Sequence, residues 1–188
     1  MPGTVVGCLR ENHTIMSSTA TDKPVHAGVL SLADDIDRPD RETLLAAVRE
    51  IARGPVTAQA ESVDRGFYPE EVLRQLGEVG AFRAHLAGLP GGPDYVTAIE
   101  ALAEVSKACA STGFVYWCQL ASTLFAERTP NAEAFHDTLL ELATGEALGG
   151  TGISNAMKSI GGLEENSLKA RPDGDGFIVD GLLPWVSN

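Results

Sequence analysis

Ser167-Leu168-Lys169-Ala170-Arg171-Pro172-Asp173-Gly174-Asp175-Gly176-Phe177-Ile178-Val179-Asp180-Gly181, running on into Leu182-Leu183-Pro184-Trp185-Val186-Ser187-Asn188, is the stretch on which the fold class turns. Ser167 to Arg171 alternates polar and apolar residues, the period of a strand. Asp173-Gly174-Asp175-Gly176 is a turn signal, and Phe177 to Asp180 reads as the returning strand. Asp180-Gly181 turns the chain again, and Leu183 to Val186 is expected to begin a third strand. Two or three antiparallel strands do not hold together alone. The chain is therefore expected to be a piece of a longer protein, cut off inside a β domain.

Upstream the period changes to that of helices. Asp40 can cap a helix whose apolar face holds Leu44, Leu45, Val48, Ile51 and Ala52. That helix is expected to run on through Thr57 to Glu61 with a kink or break at Gly54-Pro55. Pro69-Glu70-Glu71 opens a second helix, with carboxylates against its positive end and the stripe Val72, Leu73, Leu76 and Val79. Gly80 stops it, and Gly88 to Pro93 breaks regular structure. Asp94 can cap a third helix with an expected inner face of Val96, Ile99, Leu102, Ala103 and Ser106. A fourth, Phe114 to Phe125, is apolar all round and is expected in the middle of a bundle. A fifth, Ala132 to Thr144, carries Phe135, Leu139, Leu142 and Ala143 and ends at Gly145.

The fold class is thus α+β, an N-terminal all-α helical bundle followed by a truncated antiparallel β segment. The expected boundaries are a disordered lead-in over 1–38, a helical domain over 39–145 and the start of a β domain over 146–188. The lead-in offers a second plausible start at Met16.

An apolar fraction of 44% supports a packed core, and a net charge of −12 argues against a nucleic-acid partner, which needs clustered Lys and Arg. No apolar run approaches a membrane span, so no membrane partner is expected. Cys8, Cys109 and Cys118 fit no zinc or redox spacing, and three sparse cysteines suit a reducing cytoplasm. His13, His26, His85 and His136 are scattered, so no metal site is expected. Glu70/Glu71 and Glu164/Glu165 read as a helix start and a solvated loop. Cys118 with Ser111, Thr112 and Ser122 lacks a neighbouring base and reads as packing.

Gly149-Gly150-Thr151-Gly152 lacks the Lys of a phosphate loop and the third Gly of a dinucleotide fingerprint. Its glycines would let a flat ligand lie close to the backbone. Trp185 is ordinarily a core aromatic. Two residues before Ser187 on one strand face, it also suits a planar cofactor, the indole for stacking and the hydroxyl for a ring nitrogen.

The order of these features resembles the acyl-CoA dehydrogenase superfamily, whose corresponding strand reads like Trp-Ile-Thr-Asn after a hairpin like Asp-Gly-Asp-Gly-Trp. The similarity runs from about Asp40 to the C-terminal residue and includes Gly80-Ala81-Phe82. It implies a flavoprotein oxidoreductase with FAD (FMN as the alternative), flavin contacts at Gly150, Thr151, Ser154, Trp185 and Ser187, and an acyl-CoA or other small-molecule substrate. It also implies a homo-oligomeric parent. In the family a carboxylate takes the α-proton and the β-hydride passes to flavin; that base belongs to a C-terminal domain, so no catalytic residue is assigned here. The family's Thr-Glu-Pro loop is replaced by Thr151-Gly152-Ile153-Ser154-Asn155 and an insertion containing Gly161-Gly162. That replacement leaves a flavin-dependent monooxygenase open as the alternative. A non-enzymatic helical interaction module is a third reading.

Overall fold

The computed structural model describes residues 29–187. The alternative start at Met16, Cys8, His13, His26 and the closing Asn188 lie outside the described residues. The rest is mostly helical with one two-stranded antiparallel sheet.

Helix α1 (Arg41–Ile51) begins where the Asp40 carboxylate accepts from the backbone N–H groups of Glu42 at 3.0 Å and Thr43 at 3.1 Å. Pro55 does not end it. A single π turn over Ala52–Val56 absorbs the missing donor, Thr57 Oγ1 donates to Ala52 O at 2.8 Å, and helix α2 (Thr57–Asp64) follows directly. Helix α3 (Glu70–Glu78) starts after Pro69 and buries Val72, Leu73 and Leu76. Its partner is α6 (His136–Thr144), which ends in the left-handed Gly145 at φ +84°. The two helices meet at Gly77, where a Cβ would collide with the Thr144 carbonyl oxygen and lie 2.7 Å from Gly145 Cα.

Helices α4 (Tyr95–Ala108) and α5 (Ala110–Arg128) complete the bundle. One core lies among α1, α3, α4 and α5, with Phe82 and Tyr116 rings 5.5 Å apart and the Tyr116 hydroxyl donating to Ala81 O at 2.8 Å. A second, smaller core joins Leu32, Leu86, Leu89, Leu139 and Leu142. Residues 29–38 therefore depart from a disordered lead-in. Leu32 is fully buried, its N–H bonds Gly88 O, and Arg38 donates to Leu86 O.

Four further expectations are corrected. Helix α4 turns Thr97, Ala98, Ala101 and Val105 inward and leaves Val96 and Ile99 exposed. Thr97 on the inner side meets α1, accepting from Arg41 Nη1 at 2.8 Å, while Val96 and Ile99 face out. Helix α5 is not central: Tyr116, Gln119, Leu120 and Thr123 are buried, but Phe114, Trp117 and Phe125 are exposed. Residues 153–160 form a helix, α7 (Ile153–Ile160), instead of a loop. The hairpin is β1 (Lys169–Asp173) and β2 (Gly176–Asp180), paired from Lys169–Asp180 to Asp173–Gly176. Among the described residues no third strand forms over Leu183–Val186, and Ser187 pairs with Thr151 as an isolated bridge. Among the described residues no helix is long and apolar enough to cross a membrane.

Candidate functional site

The chain leaves α6 at Gly145 and is guided along α5 by a buried amide. Gln119 Nε2 donates to Leu142 O at 2.8 Å and Ala147 O at 3.1 Å, and its Oε1 accepts from Gly149 N at 2.7 Å. Arg74 Nη1 adds bonds to the carbonyls of Gly145 and Glu146 at 3.0 and 3.1 Å. Gly149 is required by this contact: a Cβ there would lie 2.6 Å from Ser122 Cβ. The expected use of that glycine, close approach of a ligand, is taken instead by helix α5. Ser122 Oγ also reaches Gly150 O at 3.2 Å.

The next residue closes the site. Thr151 and Ser187 form an antiparallel pair, each N–H donating to the other's carbonyl at 3.1 Å. Thr151 is 5% exposed, and Ser187 is half-buried. Burial pushes the Cys118 thiol up, and a side-chain hydrogen bond with Ser187 draws it back. Trp185 meets a different element. Its indole N–H donates to Glu164 Oε2 at 3.1 Å, and Lys158 Nζ of α7 sits 3.7 Å from the ring centroid. Lys158 Nζ also donates to Glu164 Oε1 at 2.7 Å. The hydrogen bond from Lys158, and then that from Trp185, hold the Glu164 carboxyl below its usual range.

Asn155 ties α7 to this segment. Its Nδ2 donates to Trp185 O at 2.6 Å and to Gly152 O at 3.0 Å, while its Oδ1 accepts from Trp185 N at 3.2 Å. The side chain thereby stands in for a strand partner. Of the five residues singled out from sequence, the fold brings Gly150, Thr151 and Ser187 together. Trp185 lies two residues along, half-exposed at 51%, and Ser154 is exposed on the first turn of α7. Gln119, Asn155, Lys158 and Glu164 were not anticipated. A lone amide in an apolar helix was the one available signal for Gln119, since such a group must find partners when buried.

A family model described as "Acyl-CoA dehydrogenase, N-terminal domain" matches residues 38–146, more than half of the chain. The chain belongs to the acyl-CoA dehydrogenase family. It is similar to the "Probable acyl-CoA dehydrogenase YngJ" of Bacillus subtilis, with 31% identity over 79% of this chain and 40% of that protein. It is similar also to the short-chain specific acyl-CoA dehydrogenase of Clostridium acetobutylicum, 26% identical over 79% of this chain and 40% of that protein. The mitochondrial short-chain specific enzyme of Mus musculus is 25% identical over 81% of this chain and 38% of that protein. The chain thus spans about 40% of the length of the curated relatives it matches. No solved structure matches it. Within this chain, the matched domain ends where the Gln119-guided segment begins, so the Thr151–Ser187 pair lies just beyond it.

Proposed function

We propose that this chain is the N-terminal portion of a flavin-dependent acyl-CoA dehydrogenase that oxidises an acyl thioester between its α and β carbons. The family membership supports the class of reaction. The observation that carries the flavin assignment is the Thr151–Ser187 backbone pair, which joins the two segments whose residues answer to the family's flavin-contacting motif.

The local surface fits a flat aromatic group with polar edges. Trp185 presents half its area, and Val186 next to it is an exposed apolar side chain. Gly150 and Ser154 are exposed. In this reading Trp185 supplies stacking area, and Gly150 and Ser154 meet the polar edge of the ring. Thr151 and Ser187 hold the two segments in register and orient that edge. When bound, FAD would supply the two-electron acceptor for the β-hydride. The protein's share is orientation and exclusion of water, and Asn155 contributes by fixing the Trp185 backbone to α7.

The test is a chimera in which this chain is continued by the remaining part of the Bacillus relative. Anaerobic addition of acyl-CoA should bleach the visible absorbance of its bound flavin. Retention of flavin without bleaching, together with oxygen consumption on an aromatic substrate, would refute the dehydrogenase reading. It would favour a monooxygenase, the reading suggested by α7 standing where the family has its Thr-Glu-Pro loop. Equal flavin retention after Trp185→Ala would count against the assignment of that residue.

A further inference from the structure

Trp185 is gripped from two directions by side chains that belong to no assigned site. Lys158 comes from the last turn of α7 and stands over one face of the indole, 3.7 Å from the ring centroid. Glu164 follows the turn at Gly162 (φ +68°) and accepts from the indole N–H. Its second oxygen takes Lys158 Nζ, so the three side chains close a ring of contacts.

The ring of contacts is poorly placed to stabilise the fold. Lys158 and Glu164 side chains are 28% and 47% exposed, and ion pairs of this kind contribute little against solvent. They are well placed to orient. The indole N–H hydrogen bond fixes the direction of the ring edge, and the ammonium over the ring occupies one face. Trp185 remains 51% exposed, and the ammonium stands over one face of its ring only.

We propose that Lys158 and Glu164 are positioning residues that fix the plane of the Trp185 indole and reserve the face away from Lys158 for a flat aromatic ligand. The proposal rests on the flavin reading for the identity of that ligand, an isoalloxazine ring. The geometry of the clasp stands apart from it.

The experiment uses the whole chain with Trp117→Phe, which leaves Trp185 as the sole indole of the two. Acrylamide quenching of its emission reports how freely the ring is reached. A cation over an exposed ring shifts the closed population about two- to fivefold. Lys158→Met should therefore raise the quenching constant by about twofold, with Lys158→Arg close to the parent and the circular dichroism unchanged. Glu164→Gln, which keeps an acceptor for the indole N–H, should fall between the two. Equal quenching in parent and Lys158→Met overturns the clasp, as does failure of Lys158→Arg to restore it.

FAD is then titrated against the same variants. Its apparent affinity, read by quenching of Trp185, should weaken about two- to fivefold in Lys158→Met. Loss of the clasp with unchanged FAD affinity overturns the positioning role. Absence of FAD quenching in every variant, parent included, strikes at the flavin reading, and the acrylamide result still decides the clasp.

Discussion

Acidification from about pH 7 to about pH 5 should cost this fold about 2 kcal/mol through His85 alone. The ring is 4% exposed, in the wall of an apolar groove of about 270 Å³ formed with Tyr95, Ile99, Leu102, Trp117 and Phe125 of α4 and α5. Its Nε2 lies 2.9 Å from Thr123 Oγ1, and that hydroxyl donates its proton to Leu120 O at 2.8 Å. Nε2 must then be the donor, which leaves Nδ1 as a bare acceptor, buried and without a partner among the described residues. A proton added at Nδ1 would create a buried cation with nothing to accept its hydrogen bond. Burial above all, with the nearby Arg38 charge, pushes His85 down to about 4.

Carrying the group from its usual 6.5 to about 4 is worth about 3 kcal/mol at ~1.4 kcal/mol per pH unit. Between those values the unfolded chain binds the extra proton, so stability rises with pH through the window and falls on acidification. About 2 kcal/mol of the loss is reached by about pH 5, before carboxylates such as Asp40, Asp94 and Glu104, all held low, begin to protonate. His136 does not mimic it. Hydrogen bonds that the ring donates to Asp137 and Asp35 raise that group, so its contribution is complete below 6.5 and is lost only as pH rises through the raised value. Urea unfolding followed by circular dichroism at the two pH values, on the wild type and on His85→Gln, isolates the effect. The wild type should lose about 2 kcal/mol more than the variant. Equal losses would refute the argument that His85 is held neutral by its surroundings.

Gly77→Ala should destabilise by about 1–3 kcal/mol, because the new methyl meets the Thr144 carbonyl at the α3–α6 crossing; an unchanged urea midpoint would show that the helices can part. Gln119→Leu removes three hydrogen bonds, to Leu142 O, to Ala147 O and from Gly149 N, and should cost about 3 kcal/mol or more by thermal melting. Asp40→Ala should lower the urea midpoint, and Asp40→Asn much less, since either side chain can accept from Glu42 N and Thr43 N.

Local chemistry was the part of the fold that the sequence disclosed. Asp40, Asp94, Gly80 and Gly145 mark helix ends because caps and left-handed turns depend on one or two residues. The phase of α4 was not disclosed. Its large apolar residues, Val96 and Ile99, pointed to the wrong face, whereas the buried side is made of Thr97, Ala98 and Ala101. Close packing of two helices rewards small residues, and no hydrophobicity pattern weights a threonine above an isoleucine. The same close approach explains Gly113, where a Cβ would lie 2.9 Å from Ser106 Cα. Helix α7 escaped notice because glycines at 152, 161 and 162 frame it as loop, although Ile153, Met157 and Ile160 repeat at helical spacing.

The candidate site divides along the same line. Thr151, Trp185 and Ser187 could be singled out because the family resemblance turns on residues in a fixed order. The groups that hold them could not, since each acts across a long separation in sequence. Gln119 reaches 30 residues to Gly149, and Asn155 reaches 30 to Trp185. Both are amides with a donor and an acceptor on one rigid group, and each uses both ends to join a helix to an irregular segment. That shared chemistry suggests how a short bridge of a single residue pair can keep its place without a third strand. The backbone of the site is completed by side-chain amides where a sheet would otherwise supply N–H and C=O groups. Asn155→Leu should therefore loosen the Thr151–Ser187 pair, read as faster amide exchange at both residues, while sparing the two helical cores, because the bonds lost run to Gly152 and Trp185.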